Sequence, residues 1–274
     1  MSFMRHIFAG IASLCLMAAP ALAADRAKIA AFMEITGFDV ALDSLRLSAA
    51  QAPMMLGLSE DNFGEDWTRL ADEIFASEGL RSDALDILEQ TMDDEMLNHA
   101  AAFYASELGQ RLVEAENASH MDDSEDSDTL GEELAAQLIE DGSPKIEHFR
   151  NMSSAIGSIE NSIRSITEVQ VRFLMAAQGA GLTESDWDAD ELRAVLLSRA
   201  EEMEQAMIIG SVTGAAFTYR DFTDDEMKAY LDALREPLMQ RVYELMNAVQ
   251  FKLQADRFEI LAARMVDLYP QQDI

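Results

Sequence analysis

From Ile146 to Phe173 an apolar side chain returns every third or fourth residue: Ile146, Phe149, Met152, Ile156, Ile159, Ile163, Ile166, Val169 and Phe173. That step is the period of a helix, and it puts these side chains along one narrow seam. The positions between them include Asn151, Ser153, Ser154, Glu160, Asn161, Ser162, Arg164 and Gln170. A seam of this kind has to be covered by neighbouring helices. Ser143 can cap the start, with Pro144 at the first helical position, where its missing N–H costs nothing. Gly179 and Gly181 suit the end. The pattern predicts one helix from Pro144 to Gln178.

The rest of the chain agrees. It holds only 5 prolines in 274 residues, shows no strand-like alternation, and is rich in good helix formers. Thr183 with Asp186 three residues on predicts a capped helix whose pattern runs from about Asp188 to Ile209. Gly210 to Gly214 is expected to break or bend it, and Thr223 with Glu226 forms a capping box for the next helix. The fold class expected is all-α.

Two stretches resemble each other. Met92-Asp-Asp-Glu-Met96 is echoed by Thr223-Asp-Asp-Glu-Met227, and Gln110-Arg111 with Glu114 and Asn117 by Gln240-Arg241 with Glu244 and Asn247. The offset is 131 at the acidic box and 130 at the Gln-Arg stretch. Ser106 suits a helix cap and Pro237 a first helical position, so both copies read as helix, break, helix. Gln110, Glu114 and Asn117 then share one polar helix stripe, with Glu107 and Arg111 in pairing distance on its flank. Weaker upstream matches join Asp66-Trp67 to Asp186-Trp187, and Ile29 and Phe32 to Ile146 and Phe149. The expected bundle is built from two related helical repeats, over 24–119 and 143–274.

The N-terminus has the three parts of an export signal: Arg5, an apolar run from Ile7 to Ala18, and small residues Ala21 and Ala23 before a cut ahead of Ala24. Residues 1–23 are expected to be removed, which places the protein in the periplasm or outside the cell. The apolar run falls well short of the ~20 residues that span a bilayer, and no later segment reaches that length. The single cysteine, Cys15, leaves with the leader, so disulfides and thiolate sites are excluded from what remains.

Charge narrows the partners. The chain carries 20 Lys and Arg against 51 Asp and Glu, a net charge of −31, and loss of Arg5 makes it one unit more negative. Such a field repels nucleic acid and anionic headgroups and favours cationic partners. From Leu112 to Pro144 there are eleven acidic residues and no Lys or Arg. Residues 120–142 therefore read as a solvated linker between the units. Asp122, Ser124, Asp126, Asp128 and Glu133 also fall at the EF-hand positions 1, 3, 5, 7 and 12, a weak calcium candidate. Ser127 stands where the loop turn requires Gly, and Leu130 offers no oxygen at position 9.

Catalytic signatures are absent. His99, His120 and His148 lack a metal-ligand spacing, and there is no P-loop, no G-x-G-x-x-G and no nucleophile elbow. The 17 methionines, Met152, Met175 and Met246 among them, read as adaptable core filler. No cofactor is expected, and no enzyme activity.

Phe103-Tyr104-Ala105-Ser106-Glu107-Leu108-Gly109-Gln110-Arg111, preceded by the acidic Asp93 to Met96, resembles the Phe-Tyr-x-Ser-Pro-x-Gly-x-Lys/Arg signature of the DUF2059 family. The resemblance covers residues 80–119, with a degenerate second copy at 212–250. Glu107 replaces the usual Pro, and the second copy has Pro237 but lacks the Phe-Tyr and Gly. The resemblance implies an exported helical bacterial protein of unknown function and carries no catalytic residues. The candidate binding positions are Phe103, Tyr104, Ser106, Gly109, Gln110 and Arg111, with Gln240, Arg241, Glu244 and Asn247 as repeat equivalents. The function expected is a periplasmic binding or interaction protein presenting acidic helix faces to a protein or cationic peptide. The alternative is a structural or assembly factor of the cell envelope, and the least expected reading is an enzyme with an unrecognised site.

Overall fold

The computed structural model describes residues 25–50, 52–57, 65–122, 124–183 and 186–268, and among these it is all-α, without strands. The first half contributes α1 (Arg26–Thr36), α2 (Phe38–Asp43), α3 (Leu45–Ala49), α4 (Glu65–Ile74), α5 (Ser77–Thr91), α6 (Asp94–Tyr104) and α7 (Glu107–His120). Then come α8 (Glu125–Glu140), α9 (Lys145–Ile156), α10 (Ile159–Gly179), α11 (Ala189–Leu197), α12 (Ala200–Thr218), α13 (Asp224–Leu234) and α14 (Pro237–Met265). The leader, residues 1–23, lies outside the described residues.

The break between helices falls where the capping chemistry places it in both echoing stretches. Ser106 accepts from Gly109 N at 3.0 Å and opens α7, while Pro237 stands at the first position of α14. Thr223 and Glu226 cap each other's backbone N–H at the start of α13, at 3.2 and 2.7 Å. At the end of α10, Gly181 takes φ +78° and its neighbour Leu182 donates back to Ala177 O at 2.9 Å, closing the helix in the left-handed manner that glycine permits.

Four local expectations are corrected. The single helix over 144–178 is two, α9 and α10, because Gly157 is extended and Ser158 caps a new start by accepting from Asn161 N at 3.1 Å. The cap of α11 is Asp188, which accepts from Asp190 N and Glu191 N, and Thr183 lies outside that helix. Gly210 to Gly214 does not interrupt the helix: α12 runs through it, and the break comes earlier, between Leu197 and Ala200. Two glycines in one helix are tolerated here because tertiary packing outweighs propensity.

The fourth correction is the largest. Most of the expected linker is helix α8, packed lengthwise on α12, with Ala135 buried. A Cβ on Gly131 would lie 2.6 Å from Thr213 O, so a missing side chain is what brings the two backbones together. The calcium reading falls with the linker. Asp126, Asp128 and Glu133 stand on a helix, where side chains two residues apart point to opposite sides and cannot wrap one ion. Asp122 instead accepts from Ser124 N and Oγ. Among the described residues no group of acidic, His or Cys side chains is arranged to hold a metal.

One core joins the two halves of the chain. α14 runs through it, with Met239, Val242, Met246, Val249, Leu253, Phe258 and Leu261 all buried. Its first part touches α6 and α9, and its length packs along α10. Its last turns reach α4 and α5 of the first half: Phe258 meets Phe75 edge-on at 5.5 Å and Phe173 at 6.0 Å, and Arg257 pairs with Asp83 at 2.6 Å. Burial of a ring such as Phe258 contributes roughly 2–3 kcal/mol, while exposed ion pairs along the same helix contribute ~0.2–1 kcal/mol each. Met152 and Met246 are core side chains, as expected of them.

Candidate functional site

The signature residues gather at the corner between α6 and α7, where the first half meets the second. A Cβ on Gly109 would lie 2.3 Å from Phe103 O and 2.6 Å from Tyr104 Cα, so only glycine lets α7 pass this close to the end of α6. Phe103 stacks on Tyr230, centroids 5.8 Å apart and rings 7° from parallel. Gln110 Nε2 donates to Ala105 O at 3.2 Å. Arg111 lies 4.8 Å over the Phe222 ring and pairs with Glu226. It therefore reaches across to α13, and does not make the expected pair with Glu107 on its own helix. The Glu226 carboxylate is held at about 2, first by the Thr223 backbone N–H and then by Arg111.

Beneath this corner four tyrosines converge on one carboxylate. Tyr219 and Tyr230 donate to Glu116 Oε1 at 2.7 and 2.8 Å. The Tyr230 hydroxyl also lies 3.1 Å from that of Tyr243 and 3.3 Å from that of Tyr104, and Tyr104 and Tyr243 hydrogen-bond to each other. Burial raises Glu116 above the ordinary carboxylate range, with the two tyrosine donors opposing the shift. Burial likewise pushes the hydroxyls of Tyr104, Tyr219 and Tyr230 well above their usual value, and that of Tyr243 up. The cluster is a dense, neutral set of hydroxyls around one acid. Sequence reasoning missed it: Glu116 sits in the acidic run, and the tyrosines come from α6, α13, α14 and the end of α12.

The echoing residues make matching contacts. Arg241 lies 3.5 Å from Asp93, the N-cap of α6, just as Arg111 reaches the start of α13. Asn117 packs on Gly37, where a Cβ would lie 2.4 Å from Asn117 Oδ1. Asn247 packs on Gly157 and donates to Ile156 O at 2.7 Å. Asn117 and Asn247 are thus positions that seat a helix end. The upstream tryptophans do not match in this way: Trp67 is buried in α4, whereas Trp187 precedes α11 and is 43% exposed.

Two of the hollows that border α10 hold charged side chains. One, about 400 Å³, holds Gln240, Glu244 and Asn247 beside Ser154, Ser158 and Ser165. The larger, about 840 Å³, is an open groove among α10, α11 and α12. Ile163, Leu197 and Ala200 give it an apolar lining, and Glu160, Glu168, Glu201 and Glu204 stand against Arg164 and Arg193 around it. Glu160 pairs with Arg164, and Glu168 with Arg193 at 3.0 Å. Thr167, 2% exposed, lines the same groove, and its Oγ1 has no hydrogen-bond partner among the described residues.

Residues 78–141 match the DUF2059 family. Its description reads "Uncharacterized protein conserved in bacteria (DUF2059)". The DUF2059 match begins in the first turn of α5 and ends at the residue that caps α8. It takes in the signature corner and also α8, which the sequence reading had set aside as linker. It does not extend to 212–250. No curated protein and no solved structure matches the chain. Among the described residues no helix is long and apolar enough to cross a membrane.

Proposed function

We propose that this is an exported, non-enzymatic bacterial interaction protein that holds a protein or peptide partner on an acidic helical surface. The observation that carries the reading is the groove among α10, α11 and α12, with an apolar lining under an excess of carboxylates. Leu197 of its lining is 37% exposed, and the same helices leave further apolar side chains outside the core: Val195 of α11 is 50% exposed and Ile209 of α12 61%. Apolar surface rimmed by charge is the usual mark of an interaction site. The signature residues support the same reading from the other side. Phe103, Tyr104, Ser106, Gly109 and Arg111 are engaged in caps, ring packing and an ion pair within the chain.

Export rests on the Arg5, Ile7–Ala18 and Ala21–Ala23 pattern. Duplication rests on the reciprocal reach of Arg111 to Glu226 and Arg241 to Asp93, together with the paired seating of Asn117 on Gly37 and Asn247 on Gly157. The test is cell fractionation followed by in-cell crosslinking with a photoreactive residue at Val195. A leaderless product in the envelope fraction with a defined crosslinked partner is expected. A full-length product in the cytosol, or no crosslink at any exposed position of α10 to α12, would overturn the reading.

A further inference from the structure

We infer that the groove among α10, α11 and α12 binds a peptide segment in which a basic side chain stands next to an apolar one. This rests on the interaction reading above and names the place and the chemistry. Three independent features of the groove point the same way.

The first is its lining. Ile163, Leu197 and Ala200 come from three different helices and together line its floor and wall, with Leu197 37% exposed. The volume, about 840 Å³, is that of a site for a few residues. Burying one leucine-sized side chain there would remove water from both surfaces.

The second is charge. Two of the four carboxylates are already paired, Glu160 with Arg164 and Glu168 with Arg193. Glu201 and Glu204 make no ion pair among the described residues. They stand three residues apart on α12, on neighbouring positions of one face. A net excess of two negative charges at the rim, within a chain of −31, selects a cationic partner and repels an anionic one.

The third is Thr167. A buried hydroxyl without a partner is disfavoured, and such groups in native folds are normally satisfied. Thr167 shares its helix face with Glu160, Ile163 and Arg164, all of which line the groove. Its Oγ1 can donate to or accept from a peptide backbone placed over Ile163. The arrangement supplies an apolar anchor site, a backbone hydrogen bond and two free carboxylates for a lysine or arginine head.

The test uses the full chain and three labelled nonapeptides, read by fluorescence polarisation at about 0.15 M salt, where long-range attraction is screened. One peptide alternates Leu and Lys, the second replaces Lys by Glu, and the third replaces Leu by Ser. Saturable binding of the Leu/Lys peptide alone is expected. The double variant Glu201→Gln, Glu204→Gln should weaken it about tenfold, and Thr167→Val about threefold, on the scale of lost charge-assisted and neutral hydrogen bonds. The double variant Glu132→Gln, Glu133→Gln removes the same charge from α8 and should leave binding unchanged.

If both double variants weaken binding equally, attraction is general and the groove assignment is overturned. If no peptide binds while crosslinking at Val195 still captures a partner, the groove chemistry is wrong and the interaction reading stands. If peptides and crosslinking both fail, both readings fall. Melting temperatures of all variants separate loss of binding from loss of fold.

Discussion

The Tyr230 hydroxyl donates to Glu116 Oε1 at 2.8 Å, joining a tyrosine of α13 to an acid of α7 across the meeting of the two halves. The carboxylate takes a second hydrogen bond on the same oxygen from Tyr219. Burial raises Glu116 above its ordinary value. The folded protein therefore holds this proton more tightly than the unfolded chain does. As pH rises through the window between the two values the unfolded state ionises first, and stability falls. Glu116→Gln keeps a carbonyl oxygen for both tyrosines and removes the charge. It should melt higher than the parent at pH 7.5 and should converge with it below the ordinary carboxylate range. Thermal melts of both proteins from pH 3.5 to 8 check this; a variant that melts lower at every pH contradicts it. Glu116→Ala, which strands the buried Tyr219 hydroxyl and takes one acceptor from Tyr230, should lose roughly 1–3 kcal/mol.

Gly109 makes a second prediction. A methyl group there meets backbone atoms of Phe103 and Tyr104, which cannot swing aside as a side chain end would. Gly109→Ala should cost about 1–3 kcal/mol despite its better helix propensity. Gly79, where an added methyl would meet only the flexible end of Arg257 at 3.5 Å, is the comparison site, and Gly79→Ala should be neutral or stabilising. Urea unfolding of the two variants measures both.

Glu226 serves the α13 cap and Arg111 at once. Its carboxyl is lowered from 4.5 to about 2. A group depressed in this way contributes stability that is complete above the ordinary value and disappears as pH falls towards about 2. Glu226→Gln should cost ~1 kcal/mol at pH 6, the usual worth of a cap, and the gap to the parent should close between pH 4.5 and 2. A gap that stays constant over that range would show that charge plays no part.

Helix α8 gives a structural test. A glutamate-specific protease cuts an acidic linker readily, but a docked helix must first detach. Residues 125–140 should resist cleavage in the native protein. Gly131→Leu places bulk against the Thr213 carbonyl and should open Glu132 and Glu133 to rapid cutting, seen by mass spectrometry. Equal cutting in both proteins would contradict the packing.

What could be read beforehand follows a physical divide. Helical class, the breaks at Ser106 and Pro237, and the Thr223–Glu226 box are written in residues within four positions of one another, which is the reach of helix hydrogen bonds. The Gln110, Glu114, Asn117 stripe was legible as polar, but its use was not. Asn117 turned out to seat Gly37, eighty positions away in sequence. Acidity misled at α8 for the same reason: a run of carboxylates reads as solvated until Gly131 and Ala135 find α12.

The sequence by itself determined the helical class, the strongly capped starts at Ser106, Thr223 and Pro237, and which faces are apolar, because those follow from local backbone chemistry and period. Only the tertiary structure decided which faces meet. It brought Tyr104, Tyr219, Tyr230 and Tyr243 around Glu116, passed α14 through both halves, and left the groove beside Thr167 open. The hydrogen bonds to Glu116 join residues 103 and 114 positions apart, and no local rule of spacing encodes which of many apolar stripes will find one another.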